Sequence, residues 1–113
     1  MVSKYRAQKA VIDGIAFDSR KEAKRYQALK ILEHTGQIRE LKLQVPFELQ
    51  PAFRYRGKQI RAIKYIADFV YKMTDKSGQE ILVVEDAKGY KTDVYELKRK
   101  MFLFTQGFEI TEV

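Results

Sequence analysis

The alternation of apolar and polar side chains across residues 41–50 constrains the fold of this chain more than any other part of its sequence. The apolar members of this segment are Leu41, Leu43, Val45, Phe47 and Leu49. Because successive side chains of a β-strand point to opposite faces, the pattern predicts a strand with one face in the core and the other in solvent. Pro46 lacks a backbone N–H, which favours a sheet edge or a bulge at this strand.

Turn and cap signals upstream of this strand predict a short hairpin and then a helix. The dipeptide Asp13-Gly14 is a two-residue turn signal, and it predicts a hairpin over residues 9–17. Ser19 fits the N-cap of a capping box. The helix should run to about His34, and Gly36 is well placed to end it.

Glu22 is the unusual residue of this predicted helix. A helical projection places it near the middle of the inward face, close to Tyr26 and Leu29, with Ala23 and Leu32 on either side. A charged residue on an inward face requires a reason. The capping box supplies a structural reason, and a functional role is also open.

Three further strands are predicted in the second half of the chain. The first covers about residues 58–72 and is preceded by a turn region at 54–57. A turn at 74–78 leads to a strand at 81–88, whose density of Ile, Leu and Val indicates a central position in the sheet. A short final strand is expected at 108–113.

A second helix is predicted between the last two strands. Thr92 is its N-cap, Asp93 suits its first turn, and Gly107 ends it. Its expected buried stripe consists of Val94, Leu97, Met101 and Phe104. The whole chain is thus predicted to be one α/β domain, residues 1–113, with a flexible basic N-terminus at 1–8. Its mixed, mostly four-stranded sheet is flanked by helices in the order hairpin-α-β-β-β-α-β.

Composition narrows the chemistry that is available to this domain. The chain has no cysteine, and His34 is its only histidine, so thiolate chemistry and multi-histidine metal sites are excluded. Any metal must be held by oxygen ligands, which suits magnesium or manganese. The net charge of +7 favours nucleic acid as partner. No signal peptide or membrane span is recognised, so a soluble cytoplasmic protein is expected.

Two aspartates and a lysine lie near the ends of two predicted strands. Alternation places Asp68 on one face with Ile66 and Val70, and it places Asp86 on one face with Lys88. Strands joined by a short turn are expected to be antiparallel neighbours, so the two carboxylates should approach each other. Close carboxylates repel and lose hydration, and a divalent cation offsets both effects. Solvated charges at strand ends are the alternative interpretation of the same spacing.

With these residues the sequence resembles the PD-(D/E)XK nuclease superfamily, in particular a compact branch found in phages and prophages. Segments 17–23, 65–69 and 84–89 carry the resemblance, and their order matches the helix–strand–strand–helix core of the superfamily. The resemblance implies a restriction-endonuclease-like core. Ala67 departs from the pattern, which has proline at this position.

The resemblance also implies roles for individual residues and a cofactor, Mg²⁺ or Mn²⁺. Its metal ligands would be Asp68, Asp86, the backbone carbonyl of Ala87 and Glu22, the last directly or through water. Lys88 would handle the attacking water as a further catalytic residue. Glu85 points away from Asp86 by strand alternation, and we interpret it as an accessory or structural charge.

Predicted DNA contacts flank this site. They are Lys91, Thr92, Tyr95, Lys98, Arg61 and Lys64. The N-terminus of the second helix suits phosphates, and Tyr95 suits stacking on a base. Lys98 is equally consistent with a surface lysine whose stem packs on apolar neighbours. The basic runs at 54–64 and 20–25 are equally typical of solvated faces.

The expected function is metal-dependent endonucleolytic hydrolysis of DNA phosphodiesters, in phage or prophage DNA processing or branched-DNA resolution. A non-catalytic nucleic-acid-binding protein on the same fold is the main alternative. A structural or partner-binding phage protein is another. Small nucleases of this kind often dimerise to cut two strands, so a homodimer is a further expectation, although no dimer face is readable from the sequence.

Overall fold

The computed structural model describes residues 9–87 and 90–113. The predicted flexible segment 1–8, together with Lys88 and Gly89, lies outside the described residues. Within the described ranges the elements are β1 (Ala10–Ile12), β2 (Ile15–Phe17), α1 (Arg20–His34), β3 (Arg39–Gln50), β4 (Phe53–Tyr55), β5 (Lys58–Ile60), β6 (Ile63–Thr74), β7 (Glu80–Asp86), α2 (Asp93–Gln106) and β8 (Thr111–Glu112). Neither of these two helices has the length and apolar character that a membrane crossing demands.

The local signals at the start of the chain produce the predicted hairpin and helix. Asp13 and Gly14 both have positive φ, 53° and 75°, as the tight turn between β1 and β2 requires. Ser19 caps α1 by accepting a hydrogen bond from the backbone N–H of Glu22 at 3.1 Å. Gly36, with φ 82°, follows the last turn of the helix. These predictions are confirmed.

The main sheet has four strands in the order β3-β6-β7-β8. The first two pairings are antiparallel, and β7 pairs with β8 in parallel, so the sheet is mixed as predicted. The strand β7 is interior, which agrees with its dense apolar composition. Pro46 lies on β3, an edge strand of the sheet, which is where a residue without a backbone N–H is tolerated.

The two helices cover opposite faces of this sheet. Side chains of α1 form one buried cluster with Phe69 and Tyr71 of β6. Side chains of α2 form a second cluster with Val70 and Val84. Because Phe69 and Val70 are consecutive residues of one strand, they point to opposite faces, and the domain is a three-layer α/β/α arrangement.

The predicted long strand at 58–72 is wrong in its first part. Residues 53–60 form a separate antiparallel hairpin, β4 with β5, and the sheet strand β6 begins only at Ile63. The reason is local, because Arg56 and Gly57 adopt φ of 51° and 75° and close a tight two-residue turn. Residues 61 and 62 then leave the extended pairing before β6 begins.

The predicted buried stripe of α2 is wrong for three of its four residues, and Met101 alone of the four packs, half-buried, against the core. Tyr95 and Phe102 are the buried residues of this helix, whereas Val94, Leu97 and Phe104 are exposed, Phe104 by 90%. Tyr95 and Phe102 are seven residues apart and therefore share one helix face. The Phe102 ring packs edge-on against neighbouring aromatic rings on the sheet and in the segment before β8. Aromatic packing thus selects a different helix face from the one that aliphatic periodicity indicates.

Candidate active site

The candidate site lies where β3 and β6 change the face that they bury. Leu43 packs in the α1 cluster, whereas Val45, two residues further along the same strand, packs in the α2 cluster. Their partners in β6 change faces in the same way. Gln44 lies between them, opposite Asp68, and it has a φ of 54°. A positive φ is costly for a residue other than glycine, and such strain is often found at functional positions.

This change of face corrects one part of the predicted alternation. Ile66, Asp68 and Val70 were expected to share a face, but Ile66 is exposed and Val70 is buried. Asp68 is half-buried between them. The aspartate therefore lies at the point of transition between the two faces rather than within an apolar face.

Gln44 joins two of the predicted site residues. Its side-chain Nε2 donates to Glu22 Oε1 at 3.1 Å and to Asp68 Oδ1 at 3.3 Å. Glu22 is buried at the start of α1, as its inward position predicted. One amide group thus neutralises part of the repulsion between a helix carboxylate and a strand carboxylate.

Asp68 is also fixed to the end of β7. Its Oδ2 accepts a 2.9 Å hydrogen bond from the backbone N–H of Ala87, the residue that follows Asp86. The carboxylate of Asp68 therefore lies beside the segment that carries the second predicted aspartate. Lys88 comes next in sequence but lies outside the described residues, so its predicted position stays a prediction.

Asp86 is held from the other side by a tyrosine. It is 1% exposed, and its Oδ2 accepts a 2.6 Å hydrogen bond from the Tyr65 hydroxyl. Burial raises the pKa of Tyr65, and the hydrogen bond to Asp86 raises it further, with a smaller contribution from the charge of Asp68. The Tyr65 phenol therefore stays protonated and lies within the field of both aspartates.

The described residues allow a direct comparison with the predicted metal ligands. Within ranges 9–87 and 90–113, no three His, Cys, Asp or Glu side chains converge as a ready-made metal cage. Glu22 and Asp68 instead share the Gln44 nitrogen, at 3.1 and 3.3 Å, which is longer than the roughly 2.0–2.1 Å of magnesium–oxygen bonds. An ion between them would require the Gln44 amide to swing out and the carboxylates to close in. The oxygen donors themselves fit a hard cation.

Glu85 lies on the opposite face from Asp86. It is fully buried and receives a bidentate contact from Arg25 of α1, with Nε at 2.7 Å and Nη2 at 2.6 Å. The Tyr71 hydroxyl also donates to it. Burial and this hydrogen bond raise the pKa of Tyr71 to about 12. Arg25 belongs to the basic run at 20–25, and it binds a buried carboxylate and joins helix to sheet.

A groove of about 270 Å³ lies between the start of α2 and β6. Four of the six predicted DNA-contact residues line it, namely Lys64, Thr92, Tyr95 and Lys98. Thr92 caps α2 through its hydroxyl, which accepts from the Tyr95 N–H at 3.0 Å. The groove therefore combines two lysines with a helix N-terminus, which suits an anion.

The remaining predicted DNA contacts differ in their surroundings. Arg61 is exposed in the connection before β6, and Lys91 is ion-paired to Glu112 at 3.1 Å. The Tyr95 ring is buried and its hydroxyl donates to Glu112, so in this conformation the ring borders the groove without a free face for a base. Base stacking by Tyr95, as the sequence suggested, is therefore not supported by its burial.

Two residues of the site were not assigned roles from the sequence. Gln44 was one of the polar residues of an alternating strand, and Tyr65 was part of the motif around Asp68 without a role of its own. Strand pairing could have identified Gln44, because it lies opposite Asp68. No sequence signal indicates the local change of strand face next to which the exposed Gln44 and the buried Tyr65 lie.

Comparison with known proteins identifies the family of this chain. The sequence model of a family described as "Protein of unknown function (DUF1064)" matches residues 2–109. The chain belongs to the DUF1064 family. No curated protein and no solved structure matches it significantly. The DUF1064 match covers nearly the whole chain, so it includes Glu22, Gln44, Asp68 and Asp86.

Proposed function

We propose that the chain is a magnesium-dependent DNA endonuclease whose centre comprises Glu22, Asp68, Asp86 and Lys88. The observation that carries this proposal is the Gln44 amide, which lies between the carboxylates of Glu22 and Asp68 while Asp68 is fixed to the N–H of Ala87. Carboxylates from a helix and a strand are thus gathered around one polar atom. The earlier resemblance to the PD-(D/E)XK superfamily supports the same set of residues.

The residues of the proposed centre divide into metal ligands, residues that hold those ligands, and a lysine that acts on the reactants. Glu22, Asp68 and Asp86 supply carboxylate oxygens for Mg²⁺, which when bound would polarise the phosphate and activate water. Tyr65 orients Asp86 through its hydrogen bond, and Gln44 bridges Glu22 and Asp68 through its two hydrogen bonds. Lys88 lies two residues after Asp86 in the sequence. Its ammonium group would position the attacking water and stabilise charge on the phosphate.

The charge distribution supports DNA as the substrate. The groove beside Asp68's strand presents Lys64 and Lys98 next to the N-terminus of α2. Backbone phosphates bind such lysines and helix termini without regard to base sequence. Lys64 of this groove and Asp68 both belong to β6, so a phosphate bound there would lie along the strand that carries Asp68.

A second function, DNA binding without catalysis, is favoured by the same amide. In the described residues Gln44 stands between two proposed ligands, and no three carboxylates converge. A protein that keeps this arrangement in the presence of magnesium would bind DNA through its basic groove without cutting it. Cleavage assays separate the two functions.

The decisive assay measures cleavage of linear, single-stranded, flapped and four-way-junction DNA with Mg²⁺ or Mn²⁺. Asp68→Asn and Lys88→Ala should lower the rate by about 10²–10⁴-fold, because each removes a group that acts on the reacting atoms. Glu109→Gln, an exposed carboxylate change before β8, is the matched control and should cut normally. Undiminished cleavage by Asp68→Asn and Lys88→Ala, or no cleavage by the unchanged protein, would overturn the nuclease proposal.

A further inference from the structure

The hairpin of β4 and β5 projects from the domain. It pairs only with itself, as a separate two-stranded sheet, and residues 51–59 are all exposed. It joins the end of β3 to the start of β6, where Gln50 pairs with Ile63. The radius of gyration, 16.4 Å, exceeds the roughly 13 Å of a compact domain of this length, in keeping with a projecting element. We call residues 51–62 the β-arm.

The β-arm and the first residues of β6 carry a cluster of positive charge. Five cationic residues, Arg54, Arg56, Lys58, Arg61 and Lys64, lie in a stretch from residue 49 to 67 that contains no Asp or Glu. Among the described contacts, none of the five forms an ion pair. Arg54 donates to the Gly57 carbonyl at 3.0 Å, and Arg56 lies over the Tyr55 ring, so their charge stays uncompensated. Unpaired cations on a projecting ribbon indicate a polyanionic partner.

Two aromatic rings accompany these charges. Phe53 and Tyr55 are both exposed on the same strand. Neighbouring exposed aromatic rings form an apolar patch, and such patches often mark a binding surface. Phe53 lies opposite Ile60, and Tyr55 lies opposite Lys58. Because paired residues of a hairpin share a face, Phe53, Tyr55 and Ile60 form an apolar and aromatic face that also carries Lys58. Rings and a cation on one face suit the sugars and bases of nucleic acid better than a simple anion.

The basic track continues from the arm into the groove beside α2. Arg61 lies at the base of the arm, and Lys64 is both the second residue of β6 and a lining residue of the groove. Lys98 faces Lys64 across that groove. A single polyanion could therefore contact the tip of the arm and the groove next to Asp68 at the same time.

We propose that the β-arm enters the major groove of duplex DNA and holds the duplex against the proposed active site. This inference rests on the proposed function for its substrate class. A two-stranded β-ribbon fits the roughly 12 Å wide major groove of B-form DNA. The A-form major groove of duplex RNA is too narrow and deep for such an element, so the fit favours DNA.

The test removes charge from the arm and measures duplex binding without divalent cations. The triple variant Arg54→Gln, Arg56→Gln, Lys58→Gln is compared with a control of equal charge loss, Lys9→Gln, Lys24→Gln, Lys76→Gln, whose residues are exposed and lie elsewhere. Binding of a 20-base-pair duplex in EDTA is followed between about 50 and 200 mM salt. The duplex affinity of the arm variant should fall at least about tenfold. The slope of log affinity against log salt concentration should become shallower by about 0.9 for each phosphate contact that is lost. The control should change little in either quantity.

A deletion makes the same test independent of charge. Residues 51–62 are replaced by Asn-Gly, which joins Gln50 to Ile63 through a tight turn at an existing strand pair. The thermal midpoint should be nearly unchanged because the removed residues are almost all exposed. Duplex affinity should fall at least as far as in the triple variant. Loss of folding in this deletion leaves the triple variant as the deciding comparison.

The outcomes separate this inference from the nuclease proposal. Equal duplex binding by arm variant and control overturns the arm's role and leaves the nuclease proposal standing. Equal or tighter binding of duplex RNA, or of anionic vesicles, overturns the choice of DNA. Arm-dependent DNA binding with no Mn²⁺-stimulated cleavage supports the arm and overturns the nuclease. No duplex binding by the unchanged protein at low salt overturns both.

Discussion

The Tyr65 hydroxyl donates a 2.6 Å hydrogen bond to the buried carboxylate of Asp86. The short distance is typical of a phenol bound to an ionised carboxylate. It couples the first part of β6 to the end of β7, where Asp86 lies. The first prediction concerns this bond.

Tyr65→Phe should weaken both the fold and the proposed metal site. A hydrogen bond to a charged group contributes about 1.5–3 kcal/mol, so the free energy of unfolding in urea should fall by about that amount. Because Tyr65 orients a proposed ligand, Mn²⁺ affinity should fall by about 10–100-fold. Tyr55→Phe, at an exposed tyrosine on the β-arm, is the control and should alter neither quantity. Unchanged stability and metal affinity in Tyr65→Phe would show that the bond is incidental.

Arg25→Ala should destabilise the domain strongly without direct effect on the site. The substitution leaves the fully buried Glu85 without its bidentate partner, and breaking a buried ion pair in this way costs about 3–5 kcal/mol. Urea unfolding measures this loss. Lys30→Ala, which breaks the exposed pair with Glu33, should have little effect. A small loss in Arg25→Ala would mean that Glu85 finds another partner.

Two phenylalanines of α2 provide a matched test of how the helix packs. Phe102→Ala should lower the free energy of unfolding by about 3–5 kcal/mol, because a fully buried ring leaves a cavity. Phe104→Ala should change it by no more than about 0.5 kcal/mol, because that ring is 90% exposed. If urea unfolding showed Phe104→Ala to be the more destabilising of the two changes, the buried stripe that periodicity predicts would be correct and this packing would be wrong.

Alkaline pH should destabilise the domain through its buried tyrosines. Burial raises the pKa of Tyr71 to about 12 and also raises the pKa values of Tyr65 and Tyr95. The unfolded chain therefore loses these protons near pH 10 while the folded state keeps them, so their contribution is intact below pH 10 and is lost as pH rises towards 12. Urea midpoints at pH 8, 10 and 11 should fall in that order. The decrease should be smaller in Tyr71→Phe, and a flat profile would contradict the assignment.

Features governed by neighbours in sequence were predicted best. The turn at Asp13 and Gly14, the Ser19 cap and the Gly107 helix end each depend on a few consecutive residues, and all three are present. The edge position of Pro46 followed from its missing N–H. In contrast, the buried face of α2 depends on aromatic partners far away in sequence, and an amphipathic pattern cannot choose between two apolar faces.

The candidate site was predictable in part for a similar reason. The resemblance implied that Glu22 and Asp68 belong to one site, and the structure brings both to one amide. That amide belongs to Gln44, whose left-handed backbone gives no sign in the sequence because glycine and asparagine are the usual residues there. The opposite orientations of Glu85 and Asp86 followed from strand parity alone, since β7 is regular up to its end.

Binding of Mn²⁺, followed by the loss of its free-ion electron paramagnetic resonance signal, tests the proposed metal centre most directly. The account predicts a saturable site in the unchanged protein, loss of that site in Asp68→Asn, and retention in Gln44→Ala, which removes only the amide between the carboxylates. Glu109→Gln should bind as the unchanged protein does. No saturable binding by the unchanged protein, or equal binding by Asp68→Asn, would contradict the account.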